Sequence, residues 1–112
     1  MKIQPLPTVN KWNNAQLKEI VLLHADVNYT NILFVNGRKI TVPTTMKKLE
    51  KRFELSNMFF RTHKSFMVNL QYIKQINTVH DEDYIQMQND YRVLVSRRRK
   101  VAFEQRIKEL YN

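Results

Sequence analysis

The side chains able to do chemistry in this chain favour anion recognition over catalysis. His24, His63 and His80 show no i, i+4 pairing such as a helical metal site needs. Asp81, Glu82 and Asp83 are consecutive, without the alternate spacing of a calcium loop. The one glycine, Gly37, makes neither a P-loop nor a dinucleotide fingerprint, and no cysteine can supply a thiolate. No Ser–His–Asp set stands out, so no enzyme activity, metal or cofactor is expected. In Phe59 to Leu70, by contrast, Arg61, His63 and Lys64 alternate with the hydroxyls of Thr62 and Ser65, and aromatics flank them. Such a mixture suits phosphate oxygens. Read as one extended strand, it sets Phe60, Thr62 and Lys64 on one face and Arg61, His63 and Ser65 on the other. A neutral His63 could still donate one hydrogen bond to a phosphate. Taken alone, the same stretch reads equally well as a strand with solvated cations. A second basic cluster, Arg97-Arg98-Arg99-Lys100, follows Ser96, a good helix N-cap. Four cations in a first helical turn oppose the macrodipole, and bound phosphates would offset that cost.

The global balance points the same way. The 112 residues make one domain, whose 43% apolar and 11% aromatic content is that of a globular protein. Nineteen Lys and Arg against ten Asp and Glu leave a net charge of +9, which favours a polyanionic partner: DNA, RNA or an acidic surface. The paired aromatics of an RRM strand and the G-x-x-G loop of a KH domain are both missing, which ranks RNA lower. No apolar run approaches a membrane span, and Lys2, Pro5 and Pro7 replace the apolar core of a signal peptide. A cysteine-free chain fits a cytoplasmic location. The competing function is a non-catalytic basic module that docks an acidic protein or an anionic membrane surface.

The elements that must position these residues are legible in outline. Residues 1–18, with Pro5 and Pro7, read as an irregular arm whose Leu6, Val9 and Trp12 could tuck against the body. Ile20 to His24 and Tyr29 to Val35 are rich in strand formers. Asn36-Gly37 predicts a type I′ hairpin, returning through Arg38 to Val42 until Pro43 ends it. Thr44 and Thr45 open a helix with Met46, Leu49 and Phe53 inward and Lys47, Lys48, Lys51 and Arg52 outward. Asn69 marks a turn, and Tyr72 to Val79 a strand with Ile73 and Ile76 inward. His80 to Asp83 forms an acidic loop, and Tyr84 to Met87 pairs with Arg92 to Val95 around Asn89-Asp90. The last helix has an apolar side of Val101, Phe103, Ile107 and Leu110.

Three blocks, taken in order, resemble the LytTR family of bacterial DNA-binding domains. Phe59 to Leu70 is similar to the family's F-x-R-x-H-[RK]-S-aromatic-aliphatic-V-N run. Ala25 to Thr30 resembles its A-D-G-N-Y-T segment, with Val27 in place of the glycine, and Val95 to Arg98 its V-S-R ending. The resemblance spans roughly residues 19 to 110. It implies a mostly-β (α+β) fold, an elongated sandwich of short, largely antiparallel sheets with a small helix between them and a C-terminal helix. It also implies a transcriptional regulator that reads successive major grooves of double-stranded DNA, on direct repeats and as a homodimer on DNA. The family's base-reading positions fall at Asn28, Tyr29, Lys64 and Arg97. Backbone-contacting positions fall at Arg61, His63 and Ser65, with Arg98, Arg99 and Lys100 expected to join them. The arm and the S-R-R-R ending resemble free-standing Bacteroidetes members without a receiver domain, under an upstream sensor kinase or regulator. The domain division expected is an arm over 1–18 and a DNA-binding domain over 19–112.

Overall fold

Strands form where β-branched and aromatic residues cluster, and helices where apolar residues recur every three or four positions. The computed structural model describes residues 2–3, 14–53 and 57–111. Among these, β1 (Lys2–Ile3) and a one-turn helix α1 (Asn14–Leu17) precede a run of three strands, β2 (Ile20–Asp26), β3 (Tyr29–Phe34) and β4 (Lys39–Val42). Helix α2 (Met46–Phe53) leads to β5 (Phe59–His63) and β6 (Phe66–Asn69). A 3-10 turn (Leu70–Tyr72) opens β7 (Ile73–Val79), β8 (Glu82–Met87) and β9 (Arg92–Val95), and α3 (Arg97–Tyr111) closes the chain. Six strands form one sheet in the order β1-β4-β3-β2-β6-β5, and β7-β8-β9 form a second. Every pairing is antiparallel except β1 with β4. The expected mostly-β architecture is therefore present, in a body of 39 × 28 × 24 Å. Leu6, Val9 and Trp12 of the arm lie outside the described residues.

The larger sheet is apolar on both faces. Ile20, Leu23, Ile32, Ile40 and Met67 pack with Met46 and Leu49 of α2, while Val21, Leu22 and Val68 pack with β8, β9 and Phe103 of α3. A β-bulge between Ile20 and Leu22 sends two successive residues, Val21 and Leu22, to the same side. Helix α2 buries Met46 and Leu49 as its periodicity requires, with Lys47, Lys48 and Lys51 in solvent. The Thr45 hydroxyl caps it by accepting from Lys48 N at 3.4 Å. Asn69 links neighbouring strands to the turn that follows: its amide donates to Ile20 O at 2.9 Å and accepts from Gln71 N at 3.0 Å, starting the 3-10 turn.

Four expectations are corrected. The Asn36-Gly37 hairpin forms without a type I′ turn, since only Gly37 has positive φ, +89°. Phe34 N donates to Arg38 O across a three-residue loop, and Asn36 Oδ1 accepts from Arg38 N. The Gln88-Asn89-Asp90 loop repeats this design, with Asp90 at φ +65° in glycine's place. The acidic loop shrinks to His80-Asp81, because Glu82 and Asp83 belong to β8, where the buried Asp83 accepts from Thr78 Oγ1 at 2.7 Å. Ile76 is 38% exposed, since β7 is an outer strand. On α3, Phe103 is buried and Ile107 partly so, whereas Val101 and Leu110 are exposed; two residues from Phe103, Val101 points to the far side.

Phe103→Ala should cost about 3–5 kcal/mol in urea unfolding, and Val101→Ala less than about 0.5 kcal/mol. Equal costs would show that Phe103 does not anchor the helix.

Candidate nucleic-acid interface

The Phe59 to Leu70 stretch is a hairpin and not one strand. His63 pairs with Phe66, so Lys64 and Ser65 form a two-residue turn, with Lys64 exposed. Arg61 pairs with Met67, which leaves Thr62 as an extra residue in a β-bulge. The expected alternation of faces therefore breaks down at Thr62. Its side chain is fully buried, and its Oγ1 has no partner among the described residues, so it offers no hydroxyl to a ligand. The Thr62 carbonyl, on the edge strand of the sheet, accepts from Ser96 N at 2.8 Å. That bond brings the start of α3 to the hairpin. On the other side Ser65 O accepts from Ala25 N at 2.8 Å, and His24 stacks on Phe66 with centroids 4.6 Å apart. The β2–β3 turn thus lies beside the β5–β6 turn.

Around these bonds the cations converge. Arg61, His63, Lys64, Ser96, Arg98 and Arg99 line an open recess of about 260 Å³. Within it, His63 Nδ1 accepts from Ser65 N at 3.1 Å, which leaves Nε2 to carry the ring proton of the neutral form. Arg61 is the least available of the set. Its guanidinium donates to His63 O at 3.3 Å, to Lys64 O at 2.5 Å and to Glu50 Oε2 at 3.3 Å. Arg97 stands apart at the rim, largely exposed, with Glu82 Oε1 at 3.9 Å. Lys100 turns away: its ammonium donates to Asp81 O at 2.8 Å in the β7–β8 turn. Asn28 and Tyr29 are both exposed at the β2–β3 turn.

In that turn Val27 stands at the position where the resembling family segment has a glycine. Val27 holds φ at +56° and is 87% exposed, a left-handed conformation that a β-branched side chain resists. The turn keeps the glycine geometry and stores strain next to Asn28. Glu50, His24 and the Thr62 carbonyl were not singled out from sequence. Glu50 leaves one faint signal, an acid among Lys47, Lys48 and Lys51 on α2. Among the described residues no cluster of His, Asp or Glu could hold a metal ion, and no helix is long and apolar enough to cross a membrane.

The family model of the LytTr DNA-binding domain matches residues 10–108. The chain belongs to the LytTR family. A solved structure described as the LytTr DNA-binding domain of a response regulator from Bacillus cereus is similar to it, at 25% identity and a TM-score of 0.74. That likeness covers 82% of this chain and 84% of the other. Among curated proteins none matches. For a LytTR domain the recess and the two turns around it lie on the elements carrying the family's sequence blocks.

Two substitutions test the local geometry of this LytTR chain. Val27→Gly should raise stability by about 1 kcal/mol, the relief of left-handed strain less the entropy glycine adds to the unfolded chain. Thr62→Val, which removes an unpartnered buried hydroxyl at nearly constant volume, should also stabilise, by about 1 kcal/mol. Thermal unfolding of both variants checks this, and a lowered Tm in either would contradict the geometry described.

Proposed function

We propose that this LytTR chain is a transcriptional regulator that binds double-stranded DNA in a sequence-specific manner. The observation that carries the reading is the recess, where cations from β5, the β5–β6 turn and α3 meet at one open surface. Phosphate oxygens would be held there by His63, Arg98 and Arg99, with Ser65 at the adjoining turn and charge from Arg61 and Lys100 behind them. Bases would be read by the groups that project furthest: Lys64 at its turn, Arg97 at the rim, and Asn28 with Tyr29 at the β2–β3 turn. Lys64 and Arg97 have the chemistry to donate to guanine O6 and N7, and Asn28 to pair with adenine. Three projecting loci on separate elements fit reading of successive major grooves better than insertion of one recognition helix. Two protomers on a direct repeat would extend that reading. In the division proposed, residues 19–112 bind DNA in the cytoplasm, and residues 1–18 form an N-terminal arm that adds β1 to the sheet beside β4.

Selecting bound sites from a random duplex pool supplies the probe. With six to ten phosphates neutralised, affinity should fall roughly 10³- to 10⁵-fold between 50 and 200 mM salt. Lys64→Ala and Arg97→Ala should each reduce discrimination between selected and random duplexes by about 1–3 kcal/mol, whereas Lys47→Ala should leave the ratio unchanged. A flat salt response, or unchanged ratios in the first two variants, would overturn the reading.

A further inference from the structure

Arg61 is the basic side chain of the recess with the most internal partners, and those partners are informative. Two of them, His63 O and Lys64 O, are carbonyls of the turn that carries Lys64. The third is a carboxylate on a different element, Glu50 of α2. Both side chains of that ion pair are largely withdrawn from water, with 16% and 22% of their surface accessible. A planar fork with donors fixed in three directions orients whatever it grips far better than a flexible ammonium would. Neither Lys64 nor Ser65 takes the positive φ that the favoured two-residue hairpin turns need. Bonds with His63 Nδ1 and Ala25 N hold Ser65, and those of Arg61 hold the carbonyls of His63 and Lys64.

We infer that Arg61 is a positioning residue for DNA reading: Glu50 aims its guanidinium at the two turn carbonyls, and this clamp sets the direction of Lys64. The inference rests on the DNA-binding reading above and deepens it, since it assigns an acidic residue a supporting part in binding a polyanion. Generic electrostatics gives the opposite sign. Removing an acid from a basic protein strengthens its attraction for DNA. The clamp predicts instead that removing this acid weakens recognition.

The test compares Glu50→Gln, Arg61→Lys and, as an exposed acid elsewhere, Glu104→Gln, on selected and random duplexes across a salt series. Unfolding curves confirm that each variant is folded. Glu104→Gln should bind both duplexes as tightly as the parent chain or slightly more so. Glu50→Gln should lose roughly 3- to 30-fold affinity for the selected duplex, as coupled neighbours do, with random-duplex binding unweakened and the salt slope unchanged. Arg61→Lys keeps the charge and loses the fork, and should show the same selective loss. Amide exchange of Ser65, read by NMR without DNA, should quicken in Glu50→Gln. Glu50→Gln that tightens both duplexes as Glu104→Gln does, or Arg61→Lys that behaves as the parent, would overturn the inference. If Ser65 exchange quickens while the parent chain itself fails to separate selected from random duplexes, the DNA reading fails and the clamp stands.

Discussion

One backbone hydrogen bond, from Ser96 N to Thr62 O, joins the two halves of the molecule at the point where its cations gather. It uses the outer side of β5, which lies at the edge of its sheet and has no strand partner there among the described residues. At the bulge the Thr62 carbonyl takes the last residue before α3. The buried faces then fix everything else. Phe60 meets the ring of Phe103 with centroids 5.7 Å apart, which holds α3 along β5. From there Arg98 and Arg99 line the same recess as Lys64.

Gathering like charges at a helix start is costly, and the protein distributes that cost unevenly. Lys100 keeps its charge but donates to a turn carbonyl, and Arg97 stands near Glu82, so the first turn of α3 is partly relieved at its two ends. Arg98 and Arg99 remain with Arg61 and Lys64 around the recess. In the free protein salt screens their repulsion, and in a complex with a polyanion it screens attraction instead, so ionic strength acts on the two states in opposite senses.

Much of this was legible in the residues. Runs such as Ile20 to His24 and Tyr84 to Met87 declare strands, because β-branched and aromatic side chains suit a pleated, half-buried surface. The two basic clusters are plain in the sequence, and the fold brings cations from both to one recess. What stayed hidden is tertiary in origin. Thr62 looks like any strand residue, and nothing local says that it is the surplus one. Asn36-Gly37 announces a hairpin without stating its loop length, which decides whether one or both residues take positive φ. Ile76 has the character of a core residue and lies exposed because its strand ended up on the outside. Glu50 sits one helix away from Arg61, and only the packing of α2 brings the carboxylate to the guanidinium.

The bonds that assemble this face also impose an order on its making. Asn69 reaches back 49 residues to Ile20, the Tyr72 hydroxyl 54 residues to the Lys18 carbonyl, and Ser96 closes on Thr62 from the next sheet. Such long loops must close before any of these contacts can reward the chain, which slows the search for the native state. During synthesis the Lys64 turn emerges well before Ser96 does. A nascent chain therefore carries its basic hairpin without the helix that completes the recess, and the recess forms only once α3 has emerged from the ribosome.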